Sequence, residues 1–278
     1  MFMVRTVTLG LLQFFAPRNI VRGMHYKCRN TEKPYLRSNV YRAKVPDALV
    51  EWEQSWPDYS PTEYTSPFLV GKPYADPDIS ATQKFCWNEL DGKIDRRSYI
   101  MRYEIGADGR PLNPKGRTGL KGRGVLGRWG PNHAADPIVS RLRDDQLQFI
   151  GIQRSDTGEW AVPGGMVDPG ELVSQTLRRE FGEEALGSSK SQSIDELFKT
   201  GVELYRGYVD DPRNTDNAWM ETVAVNYHDT NGVTEGVCFR AGDDAVNIRW
   251  IPVSRQEKLY ASHEYLIELL AKLHNYEF

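Results

Sequence analysis

One stretch of this chain, residues 163–185, constrains its fold and its chemistry more than any other. Pro163-Gly164-Gly165 ends an apolar run in a turn that tolerates unusual backbone angles, and a second turn follows at Pro169-Gly170. Residues with good helix propensity come next. The order predicts a strand, a loop and then a helix over residues 171–185.

The predicted helix gathers three carboxylates on one side. At 100° per residue, Glu183 lies about 60° to one side of Glu180 and Glu184 about 40° to the other, so all three share an arc of roughly 100°. The apolar stripe beside this arc consists of Val173, Leu177 and Phe181. A solvated acidic face is the ordinary alternative, but it explains poorly why like charges at i, i+4 border the core. Carboxylates crowded there need a cation, and oxygen ligands without His or Cys favour Mg²⁺ or Mn²⁺.

The same stretch resembles the Nudix box, G-x5-E-x7-R-E-U-x-E-E-x-G-U, in which U is a bulky apolar residue. The defined positions are filled in order by Gly165, Glu171, Arg179, Glu180, Phe181, Glu183 and Glu184, and only Leu186 and Gly187 depart at the end. The resemblance implies a hydrolase with Mg²⁺, or Mn²⁺, held by Glu180, Glu183 and Glu184. It also implies that Arg179 orients the carboxylates and that Glu171 supports the site, so that all five residues are catalytic candidates.

Segments outside the box narrow the range of expected substrates. Residues 127–136, 207–222, 224–229 and 259–263 resemble the mitochondrial-type ADP-ribose pyrophosphatases of this family and the ADP-ribose-sensing domains of melastatin-type TRP channels. This resemblance implies ADP-ribose contacts by Asp211, Arg213, Tyr260 and His263, and Mg²⁺-dependent hydrolysis of the diphosphate to AMP and ribose 5-phosphate. The same residue types also suit an ordinary turn and the packing of a terminal helix.

Two other functions stay open from the sequence. A non-hydrolysing ADP-ribose sensor of a cation channel shares the flanking segments, and a hydrolase of nucleoside triphosphates shares the box. The complete set of acids, together with a chain that starts at Met1 with a targeting-like segment, disfavours the sensor. The general base is a box glutamate or an acid from a later loop, such as Asp216 or Glu221.

The resemblance also predicts the fold, a Nudix α/β/α sandwich with a mixed sheet behind a small, loop-rich N-terminal domain. In the second half, alternating patterns predict strands at 147–153, 160–162, 220–227 and 247–253 and a closing helix at 259–274. Residues 37–114 are rich in Pro and aromatic residues, which is typical of loops pinned by aromatic contacts. We predict a possible targeting or flexible segment at 1–31, the N-terminal domain at 32–120 and the Nudix domain at 121–278.

A glycine motif near the predicted domain boundary does not indicate a dinucleotide-binding site. Gly122, Gly124 and Gly127 match G-x-G-x-x-G, which binds dinucleotides where it follows a strand and opens a helix. Here the preceding residues are polar, and a turn signal at Gly130-Pro131 leaves no room for a helix. We therefore expect a flexible cationic loop, in which the side chains able to face an anion are Arg117, Lys121, Arg123 and Arg128.

Composition excludes several classes of protein. Lys and Arg total 35 against 38 Asp and Glu, for a net charge of −3, which disfavours nucleic-acid binding. No run of about 20 apolar residues could span a bilayer. Three separated cysteines, Cys28, Cys86 and Cys238, indicate free thiols in a reducing compartment. We expect a monomer that acts on a small molecule.

The N-terminal residues carry a charge bias. The first 31 residues contain five basic side chains and no acid, and Glu32 is the first carboxylate. This bias resembles a mitochondrial presequence, with a cytoplasmic location as the alternative.

Overall fold

The computed structural model describes residues 25–80, 83–186, 192–235, 237, 239–241 and 245–278, and only the backbone of residues 184, 192 and 193. Its helices are α1 (Val173–Ala185), α2 (Gln192–Leu197) and α3 (His263–Leu273). Its strands are β1 (Thr62–Thr65), β2 (Leu90–Asp91), β3 (Ile94–Asp95), β4 (Leu120–Gly124), β5 (Gly130–Arg143), β6 (Gln146–Arg154), β7 (Trp160–Ala161), β8 (Gly165–Met166), β9 (Val202–Tyr208), β10 (Ala218–Asp229) and β11 (Ala245–Pro252).

A seven-stranded mixed sheet forms the centre of the molecule. Five strands follow the order β11-β6-β5-β10-β9, while β7 pairs with β6 and β8 with β5. The β5 and β10 strands are parallel, and the other pairs are antiparallel. Helices α1 and α2 cover one face and α3 covers the other. The predicted α/β/α sandwich with a mixed sheet is therefore confirmed.

The central strands contribute side chains to two hydrophobic cores, one on each face of the sheet. Successive side chains of a strand point to opposite faces. In β5, Ala135 and Val139 pack with Leu177 and Phe181 of α1, whereas Ile138 packs with α3. This alternation decides which side chains of β5 and β10 can reach α1.

The predicted strands correspond to β6, β7, β10 and β11, but both long helices start later than predicted. Helix α1 begins at Val173 instead of residue 171, and Glu171 lies in the loop before it. Helix α3 begins at His263 instead of residue 259 because Ala261 has a φ of 46°, a left-handed conformation that a right-handed helix cannot contain.

The predicted flexible glycine loop is wrong. Gly122 and Gly124 lie within β4, which pairs in parallel with β1. A Cβ atom on Gly122 would lie 2.4 Å from the carbonyl oxygen of Tyr64, so this glycine allows two backbones to meet instead of holding a phosphate. The turn predicted at Gly130-Pro131 is also wrong, because β5 begins there.

The four cations of this region have partners within the protein. Arg117 is buried and donates to the carbonyl oxygens of Leu49, Glu51 and Gln54. Arg123 donates to the carbonyl oxygens of Asp76 and Gly127 and pairs with the carboxylate of Asp78. Arg128 forms an ion pair with Asp76, and Lys121 forms one with Asp108. These contacts hold the four side chains within the protein, and a role in binding an anionic ligand stays a prediction.

The N-terminal part consists of loops, short strands and 3₁₀ turns held by aromatic contacts, as predicted. The guanidinium of Arg117, for example, lies over the rings of Trp52 and Tyr59, at 4.8 Å and 5.2 Å. The predicted boundary between residues 120 and 121 falls inside β4, and the division into domains stays a prediction.

The predicted segment 1–31 extends too far into the folded part of the chain. His25 and Cys28 are buried, so residues 25–31 belong to the folded unit, and residues 1–24 lie outside the described residues. Cys28 and Cys86 are free thiols, and Cys238 is not described. Among the helices that the structure describes, none is long and apolar enough to cross a membrane.

Candidate active site

Arg179 on α1 is the centre of a charged network. Its guanidinium binds Glu171 through two hydrogen bonds, both of 2.9 Å. Its Nη1 donates to Glu180 at 2.7 Å and to Glu183 at 3.1 Å, and its Nη2 donates to the carbonyl oxygen of Met166 at 3.0 Å. We call Arg179, Glu171, Glu180 and Glu183 the Arg179 hub. It unites four of the five box residues predicted as catalytic, and the side chain of the fifth, Glu184, is not described.

Glu171 is the fixed member of the hub. Besides Arg179, it accepts hydrogen bonds from Thr176 Oγ1 at 2.8 Å and from the backbone N–H of Asp168 at 3.2 Å. These bonds, those of Arg179 above all, lower the pKa of Glu171 to about 2. Glu171 is therefore ionised at neutral pH and locks the orientation of Arg179.

Glu180 is the buried member of the hub. It is only 7% exposed, and its carboxyl group lies against Gly165 of β8, where a Cβ atom would be 2.4 Å from it. Burial raises the pKa of Glu180 to about 7, since Arg179 compensates its charge only in part. The opening glycine of the box thus leaves room for the close approach of a carboxylate.

The donor set of the hub suits a divalent cation. Glu180 and Glu183 contact the same Arg179 nitrogen, and all their ligand atoms are carboxylate oxygens, which Mg²⁺ and Mn²⁺ prefer. A cation would also supply the positive charge that buried Glu180 lacks. Within the described side chains, no three His, Cys, Asp or Glu residues converge on one point, so the predicted arc with Glu184 stays a prediction.

Asp211, which is buried, and Arg213, which is half-buried, form an ion pair in the loop between β9 and β10. Arg213 Nε and Nη2 donate to the two carboxylate oxygens of Asp211 at 2.8 Å and 2.7 Å. Burial opposes ionisation of Asp211, but the guanidinium outweighs burial and holds the pKa of Asp211 below its usual range. The same pair raises the pKa of Arg213 despite its burial. Both side chains are therefore charged.

Tyr260 and His263 lie beside this pair. Their ring centroids are 5.9 Å apart, and the charges of Asp211 and Arg213 act on both rings. His263 Nδ1 accepts a 3.0 Å hydrogen bond from the backbone N–H of Val162, and burial lowers the pKa of His263 to about 3. The ring is thus neutral, with its proton on Nε2. We call Asp211, Arg213, Tyr260 and His263, the four predicted substrate contacts, the Asp211 cluster.

Sequence reasoning missed two side chains near this cluster. The guanidinium of Arg154, at the end of β6, lies 4.3 Å from the ring centroid of Tyr260. Asp136 of β5 is buried, which raises its pKa to about 6, and accepts a 2.6 Å hydrogen bond from Thr222. The one signal in the sequence is that Asp136 is the only acidic residue of β5.

Asp136 lies between the Arg179 hub and the Asp211 cluster. A Cβ atom on Gly164 would lie 2.2 Å from Asp136, just as one on Gly165 would meet Glu180. Asp136 and His263 also line one small cavity of about 10 Å³. The Gly164-Gly165 pair therefore separates the Arg179 hub from the side of the sheet that carries the Asp211 cluster.

Both later acids considered as general bases are buried and hydrogen-bonded within the protein. Asp216 is buried and accepts hydrogen bonds from Tyr59 and Thr118. Glu221 is buried and accepts from the side chains of Ser98 and Trp219 and from the backbone of Tyr99. Both carboxylates join the N-terminal part to the sheet, which leaves the box glutamates as candidates.

Both parts of the chain match known sequence families. The NUDIX domain matches residues 131–270, and the NUDT9-like N-terminal domain matches residues 45–130. The chain is 58% identical to nudix hydrolase 6 of Caenorhabditis elegans, over 91% of this chain and 99% of that protein. It is 51% identical to the mitochondrial ADP-ribose pyrophosphatase of Rattus norvegicus, over 89% of this chain and 78% of that enzyme.

A third relative is a membrane channel. The chain is 46% identical to the transient receptor potential cation channel subfamily M member-like 2 of Nematostella vectensis. The match covers 92% of this chain but only 18% of the channel.

Proposed function

This chain belongs to the Nudix family, and on that basis we propose that it hydrolyses the diphosphate of ADP-ribose to AMP and ribose 5-phosphate, with Mg²⁺ as cofactor and Mn²⁺ as a substitute. One observation carries the proposal: the Arg179 hub lies one glycine pair away from the side of the sheet with the Asp211 cluster. The 51% identity to a protein named ADP-ribose pyrophosphatase supports the substrate, and that name together with the basic N-terminal residues supports a mitochondrial location.

The hub would prepare the phosphate for attack by water. Glu180, Glu183 and Glu184 would hold the cation, which supplies positive charge against the phosphate oxygens and favours deprotonation of the attacking water. Ionised Glu171 fixes Arg179, and Arg179 in turn holds the carboxylates of Glu180 and Glu183 in place. Such fixed charges stabilise a transition state because they need no reorganisation during the reaction.

The Asp211 cluster would bind and orient the substrate. Arg213 uses Nε and Nη2 for Asp211, and no described residue accepts from its Nη1, which is free to donate to a phosphate oxygen. His263 offers the Nε2 proton as a donor, and the ring of Tyr260 offers an aromatic surface to adenine. Asp211 can accept from a ribose hydroxyl group.

The proposal is tested by incubating the purified protein with ADP-ribose and Mg²⁺ and separating the products by chromatography. We expect AMP and ribose 5-phosphate, abolished by EDTA and reduced at least about a hundredfold by Glu183→Gln, which removes a charge-stabilising ligand. Glu268→Gln is the matched control, since Glu268 also forms an i, i+4 pair, with Lys272, but on α3. Binding of ADP-ribose without AMP formation would contradict hydrolysis and favour a sensor.

A further inference from the structure

The loop that carries Asp211 and Arg213 is held from outside by the first described residues of the chain. The carboxylate of Asp210 accepts hydrogen bonds from three consecutive backbone N–H groups, those of Tyr26 (2.7 Å), Lys27 (2.8 Å) and Cys28 (3.0 Å). Consecutive N–H groups that surround one anion form a strong and directional anchor. The start of the loop is therefore fixed by residues more than 180 positions earlier in the chain.

The backbone of the same loop is held at three further points. Arg42 Nη2 donates to the carbonyl oxygens of Pro212 and Asn214, each at 2.7 Å, and Tyr35 Oη donates to that of Arg213 at 2.7 Å. Three successive carbonyl groups thus accept hydrogen bonds from the N-terminal residues. Every one of these bonds leaves the side chains of Asp211 and Arg213 free for their own pair.

The two donors are themselves buried and fixed. Tyr35 is 3% exposed, and its Oη also accepts a 3.0 Å hydrogen bond from the backbone of Val125. Arg42 is 7% exposed, and its described hydrogen bonds all go to carbonyl oxygens, with no described carboxylate in an ion pair. Burying a guanidinium without an acid is costly, and here its donors are used mainly to hold one loop.

The same N-terminal residues reach the other half of the Asp211 cluster. Lys27 Nζ donates to the carbonyl oxygen of Ala261, the left-handed residue between Tyr260 and His263. Ser262 Oγ in turn donates to the carbonyl oxygen of Asp210 at 3.3 Å. The N-terminal residues that hold the loop of Asp211 and Arg213 therefore also bond to the segment that carries Tyr260 and His263.

We infer that residues 26–42, the N-terminal clamp, position the Asp211 cluster for substrate: the clamp fixes the backbone of residues 210–214 so that Asp211 and Arg213 meet ADP-ribose already oriented. This inference builds on the proposed function. Loops move more than the elements they connect, and a loop that is ordered before binding loses less freedom on binding. The clamp residues act through the loop and are positioning residues.

The test compares two clamp variants with two matched controls. Tyr35→Phe removes the bond to Arg213, and Arg42→Lys removes the fork that spans Pro212 and Asn214. We expect the KM for ADP-ribose to rise about tenfold with kcat changed less than about twofold, since the bonds lost order the binding loop and leave the hub intact.

The control variants remove the same chemistry elsewhere. Arg117→Lys breaks bonds from a buried guanidinium to the carbonyl oxygens of residues 49–54, and Tyr103→Phe breaks a 2.8 Å bond from a buried hydroxyl group to the carbonyl oxygen of Arg96. We expect these controls to lower the melting temperature as much as the clamp variants do, with KM unchanged.

Two kinetic results would overturn the inference. In the first, the clamp variants lose melting temperature but keep their KM, which would make the clamp purely a stabilising contact. In the second, kcat falls while KM stays constant.

If the wild-type protein binds ADP-ribose without hydrolysing it, the proposed function fails alone, and titration calorimetry then tests the clamp. An unchanged Kd for Tyr35→Phe would overturn the inference, and a Kd about tenfold weaker would support it. No binding of ADP-ribose by the wild-type protein would end both proposals.

Discussion

Glu180 is a carboxyl group whose environment opposes the charge that its proposed role as a metal ligand requires. Its folded pKa of about 7 exceeds the ordinary value of 4.5, so the unfolded chain ionises it at a lower pH than the folded protein does. Stability is therefore lost as pH rises from about 4.5 to 7, and the full penalty is present above that range. Glutamate is kept here at a cost in stability.

We predict that Glu180→Gln stabilises the protein in the absence of divalent cations. Glutamine resembles the neutral carboxyl group, so the gain should approach about 3 kcal/mol at pH 8 and be small at pH 5. Urea denaturation in EDTA at the two pH values measures it. Glu268→Gln, on the surface of α3, should show no such pH dependence, and an equal gain for Glu180→Gln at both pH values would contradict the prediction.

Rising pH should strengthen the binding of the cation, although it lowers the stability of the cation-free protein. Only ionised Glu180 can bind Mg²⁺, so the Mg²⁺ concentration for half-maximal activity should fall as pH rises toward about 7 and level off above it. Below about pH 7, this Mg²⁺ concentration should change by almost tenfold per pH unit. Activity titrations with MgCl₂ from pH 5.5 to 8.5 measure this constant, and a constant independent of pH would exclude Glu180 as a titrating ligand.

At the scale of elements, the short strand β8 determines how close α1 can approach the sheet. Gly165 pairs with Ala135 of β5 and meets the Glu180 carboxyl group on its other side. We predict that Gly165→Ala displaces the Glu180 carboxyl group and lowers kcat at least about tenfold. The cost in stability should be small, because the displaced atoms are the end of a flexible side chain.

Gly182 provides the matched control for this prediction. It lies within α1, and a Cβ atom there would meet nothing within 4 Å. Gly182→Ala should therefore stabilise the protein by about 0.5–1 kcal/mol through helix propensity, with activity retained. Steady-state kinetics and thermal denaturation of the two variants give both quantities, and equal behaviour of the two alanines would refute the role of Gly165.

Elements governed by local pattern could be predicted, and contacts between distant segments could not. The helix spacing predicted that Glu180 and Glu183 share one side of α1, and both contact Arg179. The place of Glu171 beside them was implied by the resemblance to the Nudix box and not by spacing. The start of α3 depends on the left-handed Ala261, and nothing in the sequence requires that conformation. The contacts of Asp136 come from Gly164 and from Thr222 of β10, which lie 28 and 86 residues away in the chain, so a lone acid in β5 did not by itself indicate its burial.

At the scale of the whole molecule, buried carboxylates join the N-terminal part to the sheet. Asp216, Glu221 and Asp210 each accept hydrogen bonds from residues at least 98 positions earlier. These contacts oppose separation of the two parts, since breaking them would strand buried charges.

We predict from this that any presequence is removed upstream of His25. Cleavage after residue 31 would delete the three N–H groups that bind Asp210, together with buried His25 and Cys28. N-terminal sequencing of the protein isolated from mitochondria should find a first residue no later than 25. A mature form that starts at residue 32 and retains its full affinity for ADP-ribose would contradict this prediction.

The paired glycines have an electrostatic consequence. Asp136 approaches Gly164 and Glu180 approaches Gly165, so two buried acids lie against adjacent residues. Burial raises the pKa of both carboxyl groups, to about 6 for Asp136 and to about 7 for Glu180. A cation that binds at Glu180 would displace the proton held there near neutral pH, so the heat of cofactor uptake would depend on the ionisation enthalpy of the buffer.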